Sequence, residues 1–490
     1  MRLGYRCRPM GIRLPVPLLA ATLLLAGCGK EESGPVAISA IGSAPRLVNP
    51  NREPLDPPSA VLLASAAQGL VRFDSGGEIE PALAQRWAVT DDGIRYIFRL
   101  RKAQWSGGGR ITTEQVVARL RAAAAGPSRN PLKPILGAID EIVTMPDVIE
   151  ISLKSPRPNF LQLLAQPDLA IVRGGQGSGP YRAEPLPDGS VRLSLPEEEG
   201  EDSPPAGPSL LLRGEPAAAA VARFGERQAD LVLGGTLADL PLARAAGAPA
   251  AALRFDPVAG LFGLAFTAAE GPFARVEVRQ ALAMAIDRPA LVAALGVPGL
   301  QERRSLLPPG VEGLDRVSGP AWIRDPLPAR RARAAALLRG AGEDGARLRV
   351  RVALPAGPGF RLVFAHLRRD WAAVGVEAVR VAAGAPADLR LIDEVAPAAL
   401  ASWYLRHFSC EASPVCDPAA DEMMAAARIA PDALSRRGLL GNADRILAGV
   451  GPFIPLTAPV RWSLVAPRLT GFRPNSFGRH PVGELIYEQP

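Results

Sequence analysis

Histidine is nearly absent, with three residues (His366, His407 and His480) in a chain of 490. They are widely separated, and the sequence has no His-Glu-x-x-His pair, nucleophile elbow or phosphate-cradling glycine loop. The common hydrolytic and nucleotide-dependent chemistries therefore have no foothold, and neither an enzyme nor a cofactor is expected. Aromatic residues make up only 5% of the chain, and no dense basic patch is interleaved with them, so nucleic acid is not an expected partner. Past the first 27 residues no apolar run is long enough to span a bilayer. Cysteine is scarce too, at four residues: Cys7, Cys28, Cys410 and Cys416.

What is present describes a globular protein. Hydrophobic residues are 48% and charged residues 21%, ordinary values for a chain that buries large cores. The length allows two or three domains. Glycine (49) and proline (50) are abundant but scattered without a period, which excludes collagen-like and linker architectures. Of the net charge of +7, four charges (Arg2, Arg6, Arg8 and Arg13) lie in the first 27 residues, which contain no acid. The remainder carries about +3, so the basic balance overstates the mature protein.

That first segment has a basic start and an apolar run from Leu14 to Leu25, then closes on Leu25-Ala26-Gly27-Cys28. It has the shape of a secretory signal. The ending resembles the lipobox of bacterial lipoproteins, which implies cleavage after Gly27 and a diacylated Cys28 that holds the protein at a membrane. Residues 28–35 read as a lipidated tether. In the oxidising compartment this implies, Cys410 and Cys416 are expected to bridge, closing a small loop worth about 2 kcal/mol. Zinc is the rival reading, although Cys-x5-Cys spacing suits it poorly and only His407 lies nearby.

The most informative stretch is Gly271 to Ala294. Val278, Leu282, Ala285 and Ile286 recur at helical spacing. Asp287 is placed to cap a second helix, with Pro289 in its first turn. The wording Pro272-Phe273-x4-Val278-Arg279-Gln280-Ala281-Leu282-x2-Ala285-Ile286-Asp287-Arg288 closely resembles the signature of the family 5 extracytoplasmic solute-binding proteins, the peptide-, nickel- and opine-binding components of ABC importers. Other segments are similar in order and spacing. They include Gln68–Asp74, Gly77–Trp87, a turn at Asp91-Asp92-Gly93 before the alternating strand Ile94–Leu100, Trp105–Gly108, and the capped helix opening at Thr112. Gly177-Ser178-Gly179-Pro180-Tyr181 resembles the family's return to its main lobe, with glycines expected to supply special backbone angles. Gln176 and Pro180 spoil any Gly-x-Ser-x-Gly register there. The acidic stretch from Pro196 to Pro208 reads as a solvated loop.

The resemblance spans about residues 45–480 and implies an α/β, two-lobed periplasmic-binding-protein fold with a small extra subdomain in lobe one. Lobe one is expected from 36–65, 176–258 and 458–490, the appended subdomain from 66–175, and lobe two from 259–457. Crossings are expected near 260 and 458. Lobe two shows a βαβ pattern, with alternating Leu348, Val350, Val352 and Leu354, then a helical Phe360–Val374 ended by Gly375, then Val376–Val381. It should form a largely parallel sheet. His366 lies off that helix's apolar stripe and reads as a surface residue.

By resemblance, the protein captures an oligopeptide or similar small solute and passes it to an importer's permease and ATPase. It would act as a monomer on the periplasmic side, held by its lipid. A nickel- or opine-type binder, or an envelope lipoprotein that no longer transports, are the alternatives. Relatives carry Trp-x-x-Asp before a proline, the Asp facing the peptide amine. Here Asp393 matches that Asp by its distance from Pro397, while Arg390 stands in place of the Trp. Asp393 either faces a ligand, caps its loop or pairs with Arg390. Trp403, Tyr404 and Ser59 complete the candidate ligand-binding set, and His407 beside Tyr404 and Arg406 is the candidate metal cluster.

Overall fold

A computed structural model describes residues 34–196, 209–247, 249–314, 316–342 and 345–485. The signal segment, Cys28 and nearly all of the acidic 196–208 loop lie outside the described residues. Two large sheets organise the rest. The first has seven strands in the spatial order Arg182–Pro185, Val191–Ser194, Leu210–Glu215, Val36–Ile41, Leu231–Thr236, Arg461–Val465 and Leu253–Phe255. The second has five: Glu377–Ala382, Arg349–Leu354, Leu389–Val395, Gly260–Phe266 and Phe453–Thr457. The chain passes from the first sheet to the second between Phe255 and Gly260, and returns between Thr457 and Arg461.

A separate four-stranded antiparallel sheet is built from Ala84–Val89, Arg95–Leu100, Val148–Leu153 and Ile139–Met145. Its logic is local. Tyr96, Phe98 and Leu100 are buried while Arg95 and Arg99 face water, the two-residue alternation of a half-covered strand. The helix Thr113–Ala124 closes over it. Thr112 accepts from the Gln115 N–H and Gln115 returns a bond to the Thr112 N–H, a complete capping box.

The Gly271–Ala294 stretch forms two helices, Val276–Ala285 and Arg288–Leu295, with Asp287 accepting from the Ala290 N–H at 3.1 Å. Val278, Leu282, Ala285 and Ile286 are all at most 1% exposed. They pack with Phe262, Leu264, Val363, Leu367 and Trp371 in the core of the five-stranded body. At roughly 1.5–3 kcal/mol per large side chain, this core is the main reason the two helices persist.

Two expectations need correction. The βαβ unit is parallel, Arg349–Leu354 pairing with Glu377–Ala382, but the sheet as a whole is mixed. Gly260–Phe266 runs antiparallel to both Leu389–Val395 and Phe453–Thr457. Gly260–Phe266 carries the chain in and Phe453–Thr457 carries it out beside it, so these two crossing strands must oppose. The glycines of the 177–181 turn are also needed for a different reason. Neither has a positive φ. A Cβ on Gly177 would stand 1.9 Å from the Ala66 carbonyl oxygen, and one on Gly179 would stand 2.5 Å from that of Ser65. Close approach to the end of the first helix is what excludes a side chain there.

Candidate ligand-binding site

A cavity of about 490 Å³ opens where the two crossings run side by side. On one side it is walled by the end of Leu231–Thr236, the helix Pro57–Ala66 and the start of Arg461–Val465. On the other stand Glu394 to Pro397 and Trp403, from the helix Ala401–Arg406.

The Gly234-Gly235 pair shapes the first wall. Gly234 has φ +80°, and the ladder to Arg461–Val465 shifts register between Val232 and Gly235. A Cβ on Gly235 would lie 2.2 Å from the Trp462 indole. The missing side chain lets the ring lie against the strand, where its Nε1 donates to the Thr236 carbonyl at 2.7 Å.

Each crossing is pinned by a side-chain contact to a carboxylate. On the first, Asp256 takes the Asn475 N–H at 3.0 Å, and its Oδ2 lies 3.1 Å from His480 Nε2. Both side chains of that pair are 4% exposed. Asn475 in turn donates to the Arg479 carbonyl at 2.7 Å, so the C-terminal loop is tied to the crossing. On the second, Arg461 Nη1 donates to Asp393 Oδ1 at 2.8 Å. Burial pushes the Asp393 carboxyl up, and Arg461 opposes it.

Further acids sit on the wall. Asp168 is nine-tenths buried; burial raises its carboxyl, opposed by Arg479 at 3.9 Å. Glu394 is held below its usual range by the hydrogen bond with His407, Oε2 to Nε2 at 3.1 Å. The two sides also touch directly. Gln166 Nε2 donates to the Pro397 carbonyl at 2.8 Å and Asn159 Nδ2 to that of Ala399 at 2.9 Å. Ser155 and Arg157 both donate to the Arg428 carbonyl.

Of the residues singled out from sequence, Trp403 lies on the cavity wall. Tyr404 is buried edge-on to it, with centroids 4.8 Å apart, and is not on the wall. Ser59 is inside the first helix, its hydroxyl accepting from the Arg46 N–H. Arg390 donates to the carbonyls of Ala383 and Ala385 and does not pair with Asp393, whose partner is Arg461. His407 is occupied by Glu394 and the Trp403 carbonyl. His366 is half-buried rather than a plain surface residue. Among the described residues no group of three His, Cys, Asp or Glu is placed to hold a metal ion. Cys410 and Cys416 form a disulfide, Cα atoms 5.1 Å apart.

Sequence reasoning passed over Arg461, Asp168, Asp256, Gln166 and the Gly234-Gly235 pair. Only the glycine pair carries a local signal, as a doublet inside an apolar strand.

Two α/β lobes joined by paired crossings, with a cavity at the joint, define the class as a periplasmic-binding-protein architecture. Residues 78–406 match the family of bacterial extracellular solute-binding proteins, family 5, middle region, and the chain belongs to that family. A probable di/tripeptide-binding protein of Pseudomonas aeruginosa is 25% identical over 489 residues, covering 86% of this chain and 89% of that one. The probable deoxycholate-binding periplasmic protein YgiS of Escherichia coli is 32% identical over 133 residues, 23% of this chain and a quarter (25%) of the relative. Among solved structures, Haemophilus influenzae OppA in complex with RPPGFSPFR superposes with a TM-score of 0.76 at 20% identity, covering 92% of this chain and 98% of that one.

Proposed function

We propose that the protein captures a short peptide, or a solute of similar size and polarity, in the cavity at the crossings and delivers it to an ABC importer's permease and ATPase. The observation that carries this reading is the cavity of about 490 Å³ lined from both lobes, with a side-chain contact at each crossing. A ligand that fills such a space gains contacts from both sides only when the lobes are together, which is the differential affinity that drives closure.

The division into lobe one (36–65, 176–258, 458–490), appended subdomain (66–175) and lobe two (259–457) belongs to this proposal. So do the signal segment, lipidation at Cys28, attachment on the periplasmic side, the monomeric state and the absence of catalysis. Asp393 is engaged by Arg461 and lies off the wall, and Asp256 is engaged by Asn475 and His480, so the amine of a peptide ligand is assigned to Glu394 or Asp168, the remaining acids on the wall.

Mass spectrometry of small molecules released from the purified protein by denaturation tests the proposal. Recovery of peptides supports it. Failure to recover any solute, together with no thermal stabilisation across a panel of di- to pentapeptides, overturns it.

A further inference from the structure

A second, smaller cavity of about 50 Å³ lies inside the five-stranded body. Its wall includes Arg279, Arg288, Arg304 and Trp322. Arg288 is 1% exposed. Its Nε donates to the Pro455 carbonyl at 2.8 Å and its Nη1 to that of Ala283 at 3.0 Å, while Nη2 has no partner. Trp322 is 2% exposed, and its Nε1 also lacks an acceptor, as does Arg304 Nε. The Arg288 and Arg330 guanidinium carbons lie 5.8 and 5.7 Å from the Trp322 ring.

Positive charge predominates on the wall of this space, while Glu302, whose Oε2 is buried without a partner, and Asp370 act on Arg288 from off the wall. Arg279 spends its donors on the carbonyls of Phe273, Ala274 and Val450. Arg330 spends its own on those of Asp325, Met284 and Ile286. Among the described residues no carboxylate hydrogen-bonds Arg279, Arg288 or Arg330. Glu302 pairs with Arg304 at 2.7 Å but is not on the wall. Asp444, which accepts the Ser318 N–H, is also off the wall, and burial pushes its carboxyl up toward the neutral form. Arg288 is pushed down to about 9 by burial and by neighbouring Arg330 and Arg304, so it stays charged at neutral pH.

Three buried donors without acceptors on the wall of one small space would be costly if left bare. At about 10–15 Å³ per water the space has room for several waters that could accept these bonds, but water brings no charge. A single anion accepts all three and also offsets the excess positive charge.

We propose that this cavity is a binding site for a small monovalent anion of chloride size, held by Arg288 Nη2, Trp322 Nε1 and Arg304 Nε. It would join the two-helix unit at 276–295 to the strand entering the second crossing, and it stands independently of which solute the large cavity takes.

The test uses the mature protein crystallised and soaked in sodium bromide, with data collected at the bromine absorption edge. The expected result is an anomalous peak within hydrogen-bonding reach of Arg288 and Trp322. The thermal midpoint should also be higher in sodium chloride than in sodium gluconate at equal ionic strength, with the difference shrinking in Trp322→Phe. If that variant does not fold, the bromide map and the wild-type salt comparison decide. A cavity holding only water, or a wild-type midpoint that ignores the anion, would overturn the proposal.

Discussion

Arg461 reaches back from the first residue of its strand to Asp393, placing Nη1 2.8 Å from Oδ1 and Nη2 3.1 Å from the backbone carbonyl of the same residue. The two residues belong to different sheets and are 68 positions apart. The contact fastens the outgoing crossing to the central strands of the five-stranded body, and it uses the carboxylate that the motif match had assigned to a ligand amine.

Removing Arg461 should therefore be costly through the charge it leaves behind. Asp393 is already pushed up by burial, with Arg461 as its counterweight. Breaking one side of a fully buried pair costs about 3–5 kcal/mol, an upper bound for this pair, whose side chains are 19% and 14% exposed. Arg461→Met should lose a measurable part of that in urea denaturation, and Arg461→Met with Asp393→Asn should recover most of the loss. Equal losses in the single and double variants would mean the pair is not the source of the effect.

Asp168 predicts a pH dependence with a definite sign. Burial raises its folded-state pKa above the ordinary carboxylate value. Such a group contributes stability that is full below the unfolded value and is lost as pH rises through the folded value. Asp168→Asn removes that term, so the variant should gain on the wild type as pH climbs from about 4 toward neutrality. Urea midpoints at several pH values measure the difference. A difference that does not change with pH would show that Asp168 titrates normally.

Gly235→Ala tests the shape of the cavity wall. Its Cβ would meet the Trp462 indole at 2.2 Å, and the ring already holds the Thr236 carbonyl on the same strand. Something must move, and forcing atoms into a packed site costs about 1–3 kcal/mol. The displaced ring should enter the cavity, so ligand affinity should fall along with stability. Normal stability with normal binding would show that the strand can shift aside without cost.

Local and tertiary information separate cleanly in this chain. The helices at 276–295, the hairpin at 90–95 and the cap at Thr112 were legible because each is set by residues within a few positions of one another. The glycines at 177 and 179 were recognised as special, but their reason was not, because it lies in the carbonyls of Ser65 and Ala66, more than a hundred residues earlier. The pairs Asp256–His480 and Arg461–Asp393 span 224 and 68 residues. No periodicity or motif connects such positions; only the folded path of the two crossings does. Arg390 and Tyr404 were plausible site residues by sequence proximity; Arg390 shares a strand face with Glu394 but stands four residues away, bonded to the carbonyls of Ala383 and Ala385, and Tyr404 is buried off the wall. Trp403 was found because it follows six residues after the recognisable strand-and-proline landmark at Pro397.

Gln166 offers the most direct test of lobe closure. Its side chain is 4% exposed and donates from the appended sheet's side of the cavity to the Pro397 carbonyl on the other side at 2.8 Å. When the lobes separate, both groups can turn to water, so the bond favours the closed form by about 0.5–1.5 kcal/mol. Gln166→Ala should then weaken solute binding about two- to tenfold, mainly through faster release. Because Gln166 also lines the cavity, Asn159→Ala serves as the control: it removes the parallel bond to Ala399 without being on the wall. Stopped-flow release of the co-purified solute should speed up in both variants. Faster release in Gln166→Ala alone would reassign that residue to ligand contact, and unchanged release in both would mean these bonds do not hold the lobes together.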